Sequence, residues 1–296
     1  LFRSTSPVSL IVSAAAPVGN VRLTLTPLLR TDKPSVLALF DLSGGRARMG
    51  ASILAQVAQS FGDTAPDAPD AQKLVRFVKL IRKLTLAGCV TAYHDRSDGG
   101  LAATLSEMMF ASHVGLDVTL DGLIDGAKDV EAATAALFNE EIGAVVQIPA
   151  DRLEDVKSQA AAAGLSDCLF VVARINTTDT FKVTCGENVL VDEKRTDLMR
   201  VWSEVSHEIA RGRDNPACAD SELEVACGTD HQGLFVKTTF DPEEHPSGPY
   251  IHSGDVRPKI AVLREQGVNS QTEMAAAFTK AGFEAWDVHM TDLDRK

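Results

Sequence analysis

The sequence predicts an α/β fold over residues 1–195, followed by a connector over 196–256 and the opening of a second unit over 257–296. Three observations carry this reading. Continuous apolar runs such as 36–41 and 142–148 have the length and composition of buried strands. Between them lie segments whose apolar residues recur at helical spacing. Glycine, proline, asparagine and aspartate punctuate the junctions.

Taken in order, residues 8–14 and 36–41 read as strands, with Pro17, Asn20, Pro27 and Pro34 marking turns between them. Residues 50–61 read as a helix with Ile53, Leu54, Val57 and Phe61 on one side, broken by Pro66 and Pro69. A second helix carries Leu74, Phe77, Val78 and Ile81 at i, i+3, i+4 and i+7, and Gly88 lies past its end. A strand-like run over 89–93 leads to a helix marked by Leu101, Leu105, Met108 and Met109. Val114, Leu116, Val118 and Leu120 alternate as in a half-buried strand, and 142–148 is apolar enough to be central. Asp151 with Glu154 resembles a capping box for a helix running to Ala163, ended by Gly164. Residues 168–175 form another strand, and 181–184 with 189–191 form a hairpin around Gly186. A helix over 197–211 places Val201, Val205 and Ile209 on one stripe, after which Asn215-Pro216, Asp241-Pro242 and the Pro/Gly-rich run at 245–249 mark an extended connector. Residues 258–290 form a βαβ unit with a loop, Glu265-Gln266-Gly267-Val268-Asn269, at the end of its first strand.

Composition excludes several function classes. A net charge of −12 argues against nonspecific nucleic-acid binding, which needs a dense basic surface. No apolar stretch reaches the ~18–20 residues that span a bilayer, and the apolar run near the N-terminus lacks the basic flank of a secretory signal. The five cysteines are odd in number and scattered, as expected of reduced thiols in the cytoplasm. Cys218, Cys227 and His231 match no standard zinc spacing, and Cys89 and Cys168 lie in apolar runs as small core residues. The chain opens on Leu1 and stops soon after a strand-like run, so it is expected to be an internal piece of a longer chain.

The most informative stretch is His94-Asp95-Arg96-Ser97-Asp98-Gly99-Gly100. A strand ending in acidic and hydroxyl residues, then two glycines, then a helix, makes an anion and metal site. The first helical turn offers unpaired N–H groups, glycine lets a phosphate approach the backbone, and a carboxylate such as Asp95 can hold Mg²⁺ against the phosphate. The competing reading is that Ser97 or Asp98 simply caps the helix. A second glycine-rich loop, 44–52, carries Arg46 and Arg48 but lacks the Gly-Lys-Ser/Thr ending of a P-loop, and reads as a solvated turn or a phosphate loop. His94 reads as a satisfied side chain at a strand edge, and Glu140 and Glu141 as structural carboxylates. With no Gly-x-Ser-x-Gly elbow, a serine hydrolase is excluded.

The line from Ala92 to Leu101, with Glu107-Met108 and Phe110-Ala111 after it, resembles the large single-chain phosphoribosylformylglycinamidine synthase family. Further landmarks are similar to the same family: residues 137–143 (Leu-Phe-Asn-Glu-Glu-Ile-Gly), Arg213-Asp214-Asn215-Pro216, and the run from Arg257 to Asn269 with Glu273 to Phe278. The resemblance implies an aminoimidazole-ribonucleotide-synthase-like C-terminal domain with a mixed sheet, then the truncated edge of a flavodoxin-like class I glutaminase. It implies a ligase of purine synthesis that uses ATP, Mg²⁺ and glutamine to convert formylglycinamide ribonucleotide to the formylglycinamidine. ATP activates the amide oxygen there, and ammonia from the glutaminase displaces phosphate. It assigns Asp95 to Mg²⁺ and Ser97 to nucleotide, with the nucleotide an auxiliary, structural ATP or ADP, so that both are binding rather than catalytic residues. The partners implied are the remainder of the same polypeptide and the small-molecule substrates, with no nucleic acid and no membrane. The family's glutaminase cysteine lies on a strand-to-helix turn, and neither Cys218 nor Cys227 matches it. The alternatives are a nucleotide-binding structural fragment without turnover, or a stand-alone ATP-using relative of the selenophosphate synthetase or thiamine-phosphate kinase type.

Overall fold

The computed structural model describes residues 11–62, 64–68, 70–125, 129–229, 234–244, 248 and 257–294. The chain divides into two compact units, 1–231 and 232–296.

The first unit is built on a seven-stranded mixed sheet. Its strands are β1 (Ser35–Asp41), β2 (Ala92–Arg96), β3 (Gly115–Thr119), β4 (Gly143–Pro149), β5 (Leu169–Asn176), β6 (Thr180–Cys185) and β7 (Asn188–Lys194), in the spatial order β2-β4-β1-β5-β3-β6-β7. All neighbours are antiparallel except β3 and β6, which run parallel. The five central residues of β1 are all buried, because the strand is covered on both faces. On one face Leu37 and Leu39 join Leu101, Leu105, Met108 and Met109 of helix α3 (Gly100–Ser112). On the other, Val36, Ala38 and Phe40 meet Phe77, Leu80 and Leu84 of helix α2 (Ala71–Leu86) and Val156 of helix α5 (Leu153–Ala162). The Phe40 and Phe77 rings tilt against each other at 5.5 Å. Helix α4 (Val130–Phe138) lies beside α3 in the first of these layers.

Several elements differ from the sequence reading. Over the described part of the run 8–14, Ile11 and Val12 are exposed and irregular, so no strand forms there; residues 8–10 lie outside the described residues. The helix expected over 50–61 contracts to α1 (Ile53–Val57), because Ala51 and Gln59 both take left-handed backbone angles. Gly50 and Ala51 instead donate across a loop to the Thr64 and Phe61 carbonyls. In α2 the buried stripe is Phe77, Leu80 and Leu84, with Leu74 and Val78 exposed, and Asp70 caps the helix by accepting from Gln72 and Lys73 N–H. The Asp151–Glu154 capping box does not form; a 3₁₀ turn over Ala150–Arg152 leads into α5. Helix α6 (Arg195–Arg213) is present, but Val201, Val205 and Ile209 are exposed. Asn215-Pro216, read as a connector signal, starts a further helix, α7 (Pro216–Cys227), with Asn215 as its cap and proline at its first position.

The second unit contains β8 (Lys259–Arg264), α8 (Gln271–Lys280), β9 (Glu284–His289) and the short α9 (Met290–Asp294). β8 and β9 pair in parallel, as a βαβ crossover requires. Gly282, in a left-handed conformation, ends α8, and Phe278 packs edge-on against Phe283 at 5.7 Å.

Candidate functional site

The pleat decides what β2 presents. Successive residues point to opposite faces, so Tyr93 and Asp95 share one side while Ala92, His94 and Arg96 share the other. Asp95 is exposed, and its Oδ1 accepts a 2.6 Å bond from the Tyr93 hydroxyl. That contact, with burial, pushes the Tyr93 phenol well above the usual tyrosine range, burial being the larger cause. Oδ2 of Asp95 has no hydrogen bond among the described residues, and neither does the exposed Ser97 hydroxyl. On the opposite side, His94 is tied to Glu107 of α3 at 2.8 Å and to the Asp95 carbonyl at 2.9 Å, as a satisfied side chain should be.

The start of α3 differs from both sequence readings. Neither Ser97 nor Asp98 caps it: the cap position is Gly99, left-handed and without a side-chain bond. Its N–H instead donates to Glu140 Oε1 at 2.8 Å, and the same oxygen accepts from Ile53 N–H at 2.8 Å. One carboxylate thus serves two helix starts and already supplies negative charge to the positive end of α3. Gly100 is left-handed too, and a Cβ there would lie 2.6 Å from the Asn139 carbonyl oxygen and 2.7 Å from that of Leu137. The glycine pair therefore lets α3 meet the end of α4, and is not an open cradle for phosphate. The groups left available are those just before it, Asp95 and Ser97.

A buried ionic network lies on the other face. Asp41 and Arg96, the last residues of β1 and β2, stand on either side of Gly143, the first residue of β4. Arg96 reaches across Gly143, donating to Asp41 Oδ1 at 2.8 Å, the Glu141 carbonyl at 2.7 Å and the Ile142 carbonyl at 3.3 Å. A Cβ at 143 would lie 2.6 Å from the Phe40 carbonyl oxygen and 3.2 Å from Arg96 Nη2, so glycine is required there. Glu141, fully buried, grips Arg48 through both oxygens (2.6 and 2.8 Å) and accepts from the Arg48 backbone N–H. The hydrogen bond that Arg48 donates to Glu141 is the main cause that raises Arg48 above its ordinary value. Arg48 is thereby spent on structure, whereas Arg46 is exposed and has no ion pair among the described residues. Ser43 Oγ accepts from Gly45 and Arg46 N–H and shapes the turn.

Glu140 and Glu141 are thus structural, as the sequence suggested. Asp41, Ser43 and Arg96 were missed as a group. The available signal was alternation: if Asp95 faces solvent, Arg96 must point inward and requires a carboxylate. Among the described residues no group of three or more His, Cys, Asp and Glu side chains is arranged to hold a metal, and no helix is long and apolar enough to cross a membrane. Cys89 and Cys168 are buried; Cys218 is exposed and Cys227 buried at opposite ends of α7, and His231 lies outside the described residues.

The first unit is a mixed-sheet α/β domain. Residues 40–186 match the family model "AIR synthase related protein, C-terminal domain", and residues 257–296 match "CobB/CobQ-like glutamine amidotransferase domain". Carrying both in this order, the chain resembles the phosphoribosylformylglycinamidine synthases. Among solved structures, it is similar to T. maritima PurL complexed with FGAR (17% identity, 60% of this chain and 30% of that one, TM-score 0.49). T. maritima PurL complexed with ATP is similar at 15% identity, over 59% and 27% of the two chains, with a TM-score of 0.46. E. coli HypE, a hydrogenase maturation protein, is similar at 16% identity over 58% and 52%, with a TM-score of 0.41. The chain spans less than a third of the length of these PurL structures.

Proposed function

We propose that this chain supplies the second half of the synthase module (1–195), a connector (196–256) and the opening edge of the glutaminase (257–296) of a phosphoribosylformylglycinamidine synthase. In this reading the whole enzyme is a cytoplasmic ligase of purine synthesis. It converts formylglycinamide ribonucleotide to the formylglycinamidine at the expense of ATP and glutamine, and this piece is inactive by itself. The observation that carries the reading is the succession of the two family matches on one chain. A stand-alone ATP-using relative does not account for the second of them.

Within this reading Asp95 holds Mg²⁺ and Ser97 contacts the nucleotide, an ATP or a structural ADP. The residues fit such a group. Asp95 keeps one carboxylate oxygen free of protein hydrogen bonds while Tyr93 fixes the other. Mg²⁺ needs few protein carboxylates, since phosphates and water fill the rest of its shell. When bound, the ion neutralises phosphate charge; the chain's own part is to hold the carboxylate at the end of β2 and leave the Ser97 hydroxyl free to donate.

Calorimetric titration of Mg·ADP and Mg·ATP into the purified chain tests this. Asp95→Asn should weaken binding by ~1.5–3 kcal/mol, about 10- to 150-fold, in magnesium, with no difference from the parent in EDTA. Ser97→Ala should cost about 1 kcal/mol, roughly fivefold. Unchanged affinity in both variants would overturn the assignment.

A further inference from the structure

A cavity lies on the other side of β2 from Asp95. It has a volume of about 180 Å³ and is bordered by the ionic network described above. Its polar lining includes Asp41, Arg96 and Arg46, and its apolar wall includes Leu123, Ala132 and Ala136. Arg96 is 5% exposed, yet only its Nε and Nη2 are used: Nη1 has no acceptor among the described residues. Nη1 is not one of the fully buried unpaired polar atoms; it is an unused donor edge on a side chain that lines the cavity. Arg46, without an ion pair of its own, lines the same cavity from the β1–α1 loop.

Charge and size narrow the occupant. Two arginines against the one carboxylate of Asp41 leave a single positive charge on the lining, which balances a monoanion better than a phosphate dianion. A void of about 150 Å³ admits a molecule the size of benzene, so this one takes roughly six or seven heavy atoms. The alanine and leucine wall offers methyl groups and no donors, which suits a short branched apolar body.

We infer that this cavity binds a small aliphatic monocarboxylate, its carboxylate held by Arg96 Nη1 and Arg46 and its apolar end against the α4 alanines. The site is separate from the proposed nucleotide residues, since β2 presents Asp95 and Arg96 to opposite faces.

Isobutyrate serves as the probe, titrated into the full chain with ¹³C-methyl alanine labelling, without magnesium or nucleotide, so that the outcome is independent of the nucleotide proposal. The Ala132 and Ala136 methyl signals should shift saturably with a Kd of ~1–10 mM, ordinary for a ligand of this size. Isobutyramide, the neutral isostere, and Arg46→Ala should each weaken binding at least about tenfold. Ala135→Leu, which keeps a helix former on α4 and fills the cavity, should abolish it. Arg46→Ala removes an exposed side chain, and a parental methyl spectrum without probe confirms that each variant is folded. The inference is overturned if no saturation occurs by ~50 mM, if isobutyramide binds as tightly, if inorganic phosphate shifts the same methyls more tightly than isobutyrate, or if Arg46→Ala leaves the affinity unchanged.

Discussion

Gly100→Ala separates the packing role of the glycine pair from a phosphate-binding one. At residue 100 the backbone is left-handed, with φ +66°, which costs an L-residue ~1–2 kcal/mol. The new Cβ would sit 2.6 and 2.7 Å from two carbonyl oxygens at the end of α4, and backbone cannot rotate aside as a side chain can. Parting α3 from α4 to make room adds ~1–3 kcal/mol of overpacking strain. A total of about 2–5 kcal/mol should lower the melting temperature by roughly 4–20 °C for a unit of this size. Gly99→Ala carries the same backbone strain, but its Cβ meets only the Ala103 methyl, so the loss should be smaller. The assay is thermal denaturation followed by circular dichroism, in nucleotide-free buffer. If Gly100→Ala melted within ~1 °C of the parent yet lost Mg·ADP affinity, the glycine would be serving the phosphate and the packing argument would be refuted.

Glu140→Ala removes the acceptor shared by Ile53 and Gly99 N–H and should cost ~1–2 kcal/mol in urea unfolding, while Glu140→Gln, which keeps a carbonyl oxygen there, should cost less than half as much. Equal losses would show that charge, not the acceptor, matters. Asp70 is held below its ordinary value chiefly by the Lys73 N–H, so its cap contributes above an unfolded value near 3.8 and is lost as pH falls through the depressed folded one. Asp70→Ala should therefore lower the melting temperature at pH 7 and converge with the parent below that range; a gap that widens on acidification would contradict this. The chain alone should release no glutamate from glutamine above a heat-killed control, because Cys218 and Cys227 lie at the ends of α7 rather than on a strand-to-helix turn.

Much of the sheet was legible because the five central residues of β1 and of β4 are buried and read as largely apolar runs, while the β6–β7 hairpin announces itself through Gly186. Elements whose limits depend on backbone angles were not. Ala51 and Gln59 give no sign in sequence of the left-handed conformations that shorten α1. Asn215-Pro216 carries a helix-start signal, yet the polar surroundings drew it into a connector. The apolar stripe of α6 correctly reported a helix and said nothing of what it faces, since Val201, Val205 and Ile209 are exposed. At the site, the motif from His94 to Gly100 could be located but its internal division could not. That Asp41 and Arg96 both stand opposite Gly143, and that Glu140 reaches Gly99, follows from strand register and tertiary packing across 41–102 residues of chain.

The proposed role of Asp95, carrying the metal of a bound nucleotide, can be read directly with a paramagnetic ion. Manganese, which accepts the same oxygen ligands as magnesium, broadens nearby amide signals through its unpaired electrons. With ADP present, substoichiometric Mn²⁺ should broaden the amides of residues 93–98, and Asp95→Asn should abolish that broadening while leaving the rest of the spectrum as in the parent. Broadening centred elsewhere, or broadening at 93–98 that survives Asp95→Asn, would contradict the account.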